Sequence, residues 1–245
     1  MIGAALSLAL GAALQAGADS ASDGRCFEYE AAAYCLAGVA APSRVDLDPA
    51  ESAIADAAAA ALQAALEAAI AAGDLFLEPV GAPDRWGRMP VLAFAEDTTE
   101  PLQVRLIEQG HLSILPDQLP AAFDDRFRAA QLTAQVTGRG VWATESLRVL
   151  YADDAGEGEG QLRFVRGRVR YAYEGRDWTY LNFGRDYRTD FTIMIKPRLA
   201  QKMTEAGQPP SSFEGRRIEV YGLIHQENGP AVELTSGANI RIIPD

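Results

Sequence analysis

Asp153 to Gly160 reads Asp-Asp-Ala-Gly-Glu-Gly-Glu-Gly, with no large apolar side chain and glycine at every second position after Asp154. Such a stretch cannot build a core and leaves the backbone wide conformational choice, so the composition predicts an acidic, glycine-rich linker over 147–160. A chain divided there folds as two domains, expected over 23–146 and 161–245. Their charges differ in sign. From Gln161 to Asp245, thirteen Lys and Arg face ten Asp and Glu, a net of +3; the whole chain carries −12, so the residues before Gln161 carry −15. An acidic surface repels phosphate, so any nucleic-acid argument belongs to the second part. With 48% apolar residues over 245 positions, there is material for a core in each.

Residues 1–18 are uncharged, largely apolar, and end in Ala16-Gly17-Ala18, a small-x-small cleavage pattern, so they are expected to be a signal peptide. No Lys or Arg precedes the run; the basic n-region is the amino terminus itself, or the true start lies upstream. The run is short for a membrane span, and no stable span is expected later. Export to the periplasm or exterior suits two cysteines, Cys26 and Cys35, whose even number invites pairing. His111 and His225 lie far apart without cysteine neighbours at zinc spacing and are read as structural or surface residues.

Loose alternation from Cys26 to Val39 predicts strands around a hairpin near Ala31-Ala32. Asp48-Pro49 then opens an alanine-rich helix to about Ala72, with Asp48 as N-cap, Pro49 at N1 and Gly73 as the stop. Strands are expected at 75–80 and 89–94, and helices at about 101–109 and 120–136. The last 85 residues are strand-rich, with strands at 162–173, 178–183, 191–195, 217–225 and 231–235, a further one at 239–243, and a helix near 198–206. Five strands with a helix between the third and fourth is the order of an OB barrel.

Cys35 to Ser43, Cys-Leu-Ala-Gly-Val-Ala-Ala-Pro-Ser, stands beside three other ordered segments. These are Asp23-Gly24-Arg25-Cys26, Asp84-Arg85-Trp86-Gly87-Arg88 and Gly138-Arg139-Gly140-Val141-Trp142. Together they resemble the thermonuclease (staphylococcal nuclease-like) family, as does the helix at Gln103 to Leu115. The resemblance covers about Asp23 to Ala143. It implies a β-rich α+β fold of two OB-type barrels in tandem: a staphylococcal nuclease-like barrel with three helices, then a smaller OB-like barrel.

In that family carboxylates hold calcium, a Glu activates water, and two arginines clamp the phosphate. The matching positions here are Arg25 and Ala40 for the metal-binding aspartates, Ser43 for the base, and Cys35 and Arg88 for the arginines. Calcium needs hard oxygen ligands, and losing a positioned base alone costs about 10²–10⁴ in rate. Only Arg88 survives, so no metal or cofactor is expected and no catalytic site is intact. Arg25 and Arg88 could frame a pocket that holds phosphate without cutting it; the plainer reading pairs both with nearby carboxylates. The same resemblance puts Cys26 and Cys35 on the two arms of one hairpin. With Glu30-Ala31 as its turn they face each other, at the roughly 4.5–5.5 Å of opposed residues, within disulfide reach. The alternative is two buried reduced thiols.

Thr179 to Gly184 and Tyr187 to Thr192 resemble the OB-like modules appended to proteobacterial thermonuclease-like proteins. Alternation puts Arg166, Arg168 and Arg170 on one strand face, opposite Val165, Val169 and Tyr171. With Trp178, Tyr180 and Arg185 they could stack bases and contact the phosphates of single-stranded nucleic acid; otherwise this is a solvated strand face. The chain is therefore expected to be an exported, catalytically inactive thermonuclease-like protein acting as a binding or scaffold module. Two rivals remain. One is a nuclease with a rebuilt site recruiting Asp46 or Asp48; the other is a protein–protein interaction module with a protein partner.

Overall fold

The computed structural model describes residues 24–43, 47–186 and 188–244. The expected signal peptide, Asp23 and Asp46 lie outside them. The fold is mixed α+β and sheet-rich, in two compact units that meet between Leu147 and Arg148.

In the first unit β1 (Cys26–Tyr29) and β2 (Ala32–Leu36) form a hairpin in which Cys26 faces Cys35. Its turn residues, Glu30 and Ala31, have φ of 50° and 62°, the left-handed pair that a tight two-residue turn needs to follow the strands' twist. β3 (Val39–Ala40) follows, then a 3₁₀ turn at Pro49–Glu51 and α1 (Ala53–Ala72). Asp48 caps the turn, its Oδ1 accepting from the Ala50 N–H at 2.9 Å. Ala55, Ala58, Leu62, Leu66 and Ala69, spaced three and four apart, form the buried stripe of α1.

β4 (Leu75–Pro79) and β5 (Met89–Ala95) complete a sheet of order β1-β2-β5-β4, with β2 parallel to β5 and the other pairs antiparallel. α2 (Leu102–Glu108), β6 (Ser113–Ile114) and α3 (Asp124–Thr137) follow, and β6 pairs with β3. Gln103 is fully buried on α2, and β2 ends opposite Val91. Its Oε1 accepts from the Ala93 N–H and its Nε2 donates to the Val91 carbonyl, serving β5 where the ladder stops. Past α2 and α3 the backbones of Gly110 (φ 76°) and Gly140 (φ 52°) touch, and the Val141 N–H donates to the Gly110 carbonyl at 3.0 Å.

The second unit opens with β7 (Leu150–Tyr151) and 3₁₀ turns over Ala152–Gly158. The segment expected to be a linker is therefore built into this unit. Ala155 is fully buried, a Cβ on Gly158 would lie 2.8 Å from both Leu150 and Ile224, and the Gly160 N–H donates to the Ile224 carbonyl. Small residues here allow close packing, not looseness.

β8 (Leu162–Arg168), β9 (Tyr171–Glu174), β10 (Thr179–Asn182), β11 (Thr192–Ile195), α4 (Pro197–Glu205), β12 (Arg217–Gln226), β13 (Pro230–Leu234) and β14 (Ile240–Ile242) follow. The sheet order is β7-β8-β12-β13-β11-β10-β9, with β14 also on β12 and only the β7–β8 and β11–β13 pairs parallel. The strand expected to run unbroken over 162–173 bends at Val169-Arg170. There the Val169 N–H donates to Arg216 and the Arg170 N–H to Asn182, so one stretch of chain serves both β12 and β10 and the sheet curls around Val165, Val169, Leu181, Ile193, Val220 and Val232. The bend also resets the alternation, and Tyr171 is exposed instead of facing the core.

Candidate functional site

The first unit brings Arg25, Cys26, Cys35 and Arg88 close together. Cys26 and Cys35 form a buried disulfide with Cα atoms 4.0 Å apart, slightly closer than expected. The Leu36 N–H donates to the Arg25 carbonyl, and Arg25 Nη1 donates to the Val39 carbonyl at 2.9 Å, next to Ala40. On the other side Arg88 Nη1 donates to Cys26 Sγ at 3.6 Å. The hairpin thus carries a guanidinium bound to its own backbone next to a covalent sulfur bridge. Ser43 is half-buried, and Asp48 is an exposed helix cap. Among the described residues no three His, Cys, Asp or Glu converge.

Arg88 also belongs to a turn organised by Asp84. Asp84 Oδ1 accepts from the Trp86 and Arg88 N–H groups at 2.9 and 3.0 Å, Gly87 supplies a φ of 77°, and Arg88 Nε donates to Asp84 Oδ2 at 2.8 Å. The Arg85 and Arg88 guanidiniums lie 3.9 and 4.7 Å from the ring centre of exposed Trp86. Desolvation pushes the Asp84 carboxyl up, but the hydrogen bonds from Arg88 and Trp86 and the Arg88 charge outweigh it and hold it below the usual carboxylate range. The folded value lies below the unfolded one, so this stabilisation is present above the ordinary carboxylate pKa of about 3.9 and lost as pH falls through the folded value. Asp84→Asn is expected to flatten the acid-unfolding curve of the first unit below about pH 4. An acid limb as steep as the wild type's would refute this.

The disulfide closes a short loop, nine residues in separation. In the loop-entropy account it contributes about 2–3 kcal/mol. The double variant Cys26→Ser, Cys35→Ser should lower the urea midpoint of the first unit accordingly. Dithiothreitol should reproduce that shift in the wild type and leave the variant unmoved.

In the second unit the arginine row is already engaged. Arg166 faces Glu219 across the β8–β12 pair and Arg241 faces it from β14, and both guanidiniums bond the Glu219 carboxylate at 2.6–3.0 Å. Glu219 is only 3% exposed, so it is buried between two cations. Arg168 Nη1 donates to the Gly215 carbonyl and Arg170 Nε to the Phe183 carbonyl. All three arginines still line one cleft of about 460 Å³, with Tyr151, Asp153 and Tyr171.

A second cleft of about 390 Å³ lies on the outer face of β9, β10 and β11, walled by the turn at Glu227 and Asn228. Tyr173 and Tyr180 stack there with ring centres 6.4 Å apart, beside Asn182, Thr192 and Met194. The residues expected on a single surface thus divide. Arg166, Arg168 and Arg170 share the first cleft and Tyr180 lies in the second. Trp178 sits over the Lys196 ammonium at 5.2 Å, and Arg185 is exposed and lines neither cleft. Not expected from the sequence were Tyr151 and Tyr171 in the first cleft and Tyr173 in the second; the signal available was the pair of tyrosines two apart directly after the arginine row. No family model matches the chain, and the comparison with curated proteins gives no match.

Proposed function

We propose that the chain is an exported, catalytically silent relative of the thermonucleases that acts as a binding module, with single-stranded nucleic acid as the ligand of its second unit. The observation that carries the loss of hydrolysis is the Cys26–Cys35 disulfide, packed against Arg88 at the place of the family's phosphate clamp. A disulfide carries no positive charge and donates no hydrogen bond, so it cannot grip a phosphate as an arginine at that place would. The bridge also agrees with an oxidising, extracytoplasmic compartment.

The topology supports an OB-type reading of both units. In the second, β8 with β9 acts as strand one and β10, β11, β12 and β13 as strands two to five; the parallel β11–β13 pair and α4 between β11 and β12 fit that plan. The first unit's order β1-β2-β5-β4, with its parallel β2–β5 pair, fits strands two to five of the same plan. Stacked tyrosines in an open cleft suit bases, which offer flat faces whatever their sequence.

The purified chain is expected to leave DNA and RNA uncut in calcium and to bind a labelled oligothymidylate with an affinity that falls as salt rises. Reproducible cleavage abolished by Arg88→Ala would overturn the silent-enzyme reading, and salt-independent or absent oligonucleotide binding would overturn the ligand.

A further inference from the structure

We propose that the tyrosine cleft of the second unit selects bases that carry an exocyclic amine, with Glu227 as the residue that sets the choice. This rests on the single-strand reading above and names which bases that site takes. Among the described residues lining the cleft none is Lys or Arg, and Glu227 is the one charged group. A carboxylate repels a phosphate backbone, so what enters here is a base, and the backbone stays outside.

The floor of the cleft is the outer face of three strands. Tyr173 on β9 lies opposite Tyr180 on β10, and Tyr180 lies opposite Met194 on β11; one row along the same face, Asn182 lies opposite Thr192. The two tyrosine rings offer flat faces that hold any base and prefer none. Choice must come from hydrogen bonds to the edge of the base. The Thr192 hydroxyl donates to Asn182 Oδ1 at 3.3 Å, so the group Asn182 has left for a ligand is its Nδ2, a donor.

Glu227 supplies the acceptor. It stands on the turn between β12 and β13, where Gln226 pairs with Pro230, the Glu227 N–H donates to the Gly229 carbonyl at 2.8 Å and Asn228 takes a φ of 63°. The turn is seated on its neighbour. A Cβ on Gly229 would lie 2.9–3.1 Å from backbone atoms of Thr189 and Asp190, in the connection that leads from β10 into β11. This close approach holds the turn that carries Glu227 against the two strands that carry Tyr180, Asn182 and Thr192. Among the described residues no cation pairs with the Glu227 carboxylate.

A carboxylate only accepts hydrogen bonds. Cytosine and adenine present an amine beside a ring nitrogen that accepts, and guanine presents an amine beside a ring N–H. Each of these edges has a donor for Glu227 and an acceptor for the Asn182 Nδ2. Uracil and thymine put a carbonyl oxygen where cytosine has its amine, and that oxygen and a carboxylate repel.

The test measures fluorescence anisotropy of labelled oligodeoxycytidylate and oligodeoxyuridylate of equal length with the full chain. The two probes differ only in the amine or oxygen at C4 and the proton on N3, so attraction to phosphate cancels in the ratio of their affinities. The wild type should bind the cytidylate about fivefold or more tightly. Glu227→Gln should bring the ratio close to one, because an amide serves the amine and the carbonyl alike; the lost negative charge strengthens both probes and leaves the ratio unaffected. Tyr180→Ala should weaken both probes by about fivefold or more. Tyr173→Ala, at an exposed position, gives the same readout if that variant misfolds. Equal or reversed affinities in the wild type, or a preference that Glu227→Gln keeps, would overturn the selection and leave the single-strand reading standing. Failure of the wild type to bind either probe would sink both.

Discussion

Glu219→Ala is expected to destabilise the second unit by about 3 kcal/mol, because it strands two guanidiniums that now share one buried carboxylate. Removing one partner of a buried ion pair costs about 3–5 kcal/mol. The low end applies because the side chains of Arg166 and Arg241 keep 15% and 23% of their exposure and can recruit water. Glu219→Gln should cost less, since an amide oxygen still accepts from one arginine. Replacing Arg166, Glu219 and Arg241 together by leucines should recover most of the loss, because an apolar trio needs no charge balance. Urea unfolding followed by hydrogen exchange over residues 162–242 separates this unit from the first. A Glu219→Ala midpoint unchanged within error would mean that the triad contributes nothing.

Gly110→Ala should be among the most damaging single methyls in the first unit, at about 3 kcal/mol or more. Its φ of 76° is one that alanine rarely adopts, and a Cβ there would lie 2.1 Å from the Arg139 carbonyl oxygen. That clash is with backbone, so no rotamer relieves it. Moving the segments apart breaks the Val141-to-Gly110 hydrogen bond, worth about 1 kcal/mol, and adds to strain of about 1–3 kcal/mol. Gly138 is the control. It has a φ of 58° but open space where a Cβ would stand, so Gly138→Ala should cost only the conformational strain. Equal losses for the two variants would show that the close approach is not what matters.

These two sites mark the boundary of what the residues disclose before folding. The helix from Asp48 to Gly73, the hairpin that joins Cys26 to Cys35, and the strand–helix–strand succession of the second unit were legible, because each is written in local spacing, caps and turns. Glu219 was not legible as a buried charge. Its partners stand 53 and 22 residues away, and nothing in Ile-Glu-Val distinguishes an outward carboxylate from one roofed by arginines. The acidic glycine-rich segment misled for the opposite reason, since composition reports the absence of bulk and packing decides whether that absence means freedom or close approach. The candidate binding surface was half legible. Its arginines were visible as a row, but the bend at Val169-Arg170 that turns Tyr171 outward depends on hydrogen bonds to Arg216 and Asn182, both remote or across a turn.

That bend also governs how this protein behaves in a crowd. Because one covalent stretch covers a flank of β12 and a flank of β10, neither offers its row of amides and carbonyls to a neighbouring molecule. Among the described residues the strands that end this sheet's order are β7, β9 and β14, of two, four and three residues. Margins so short are poor templates for sheet growth from chain to chain. A sheet that borrows its own backbone to cover its flanks can display arginines and tyrosines openly on its surface without inviting the self-assembly that an open sheet of that length would risk.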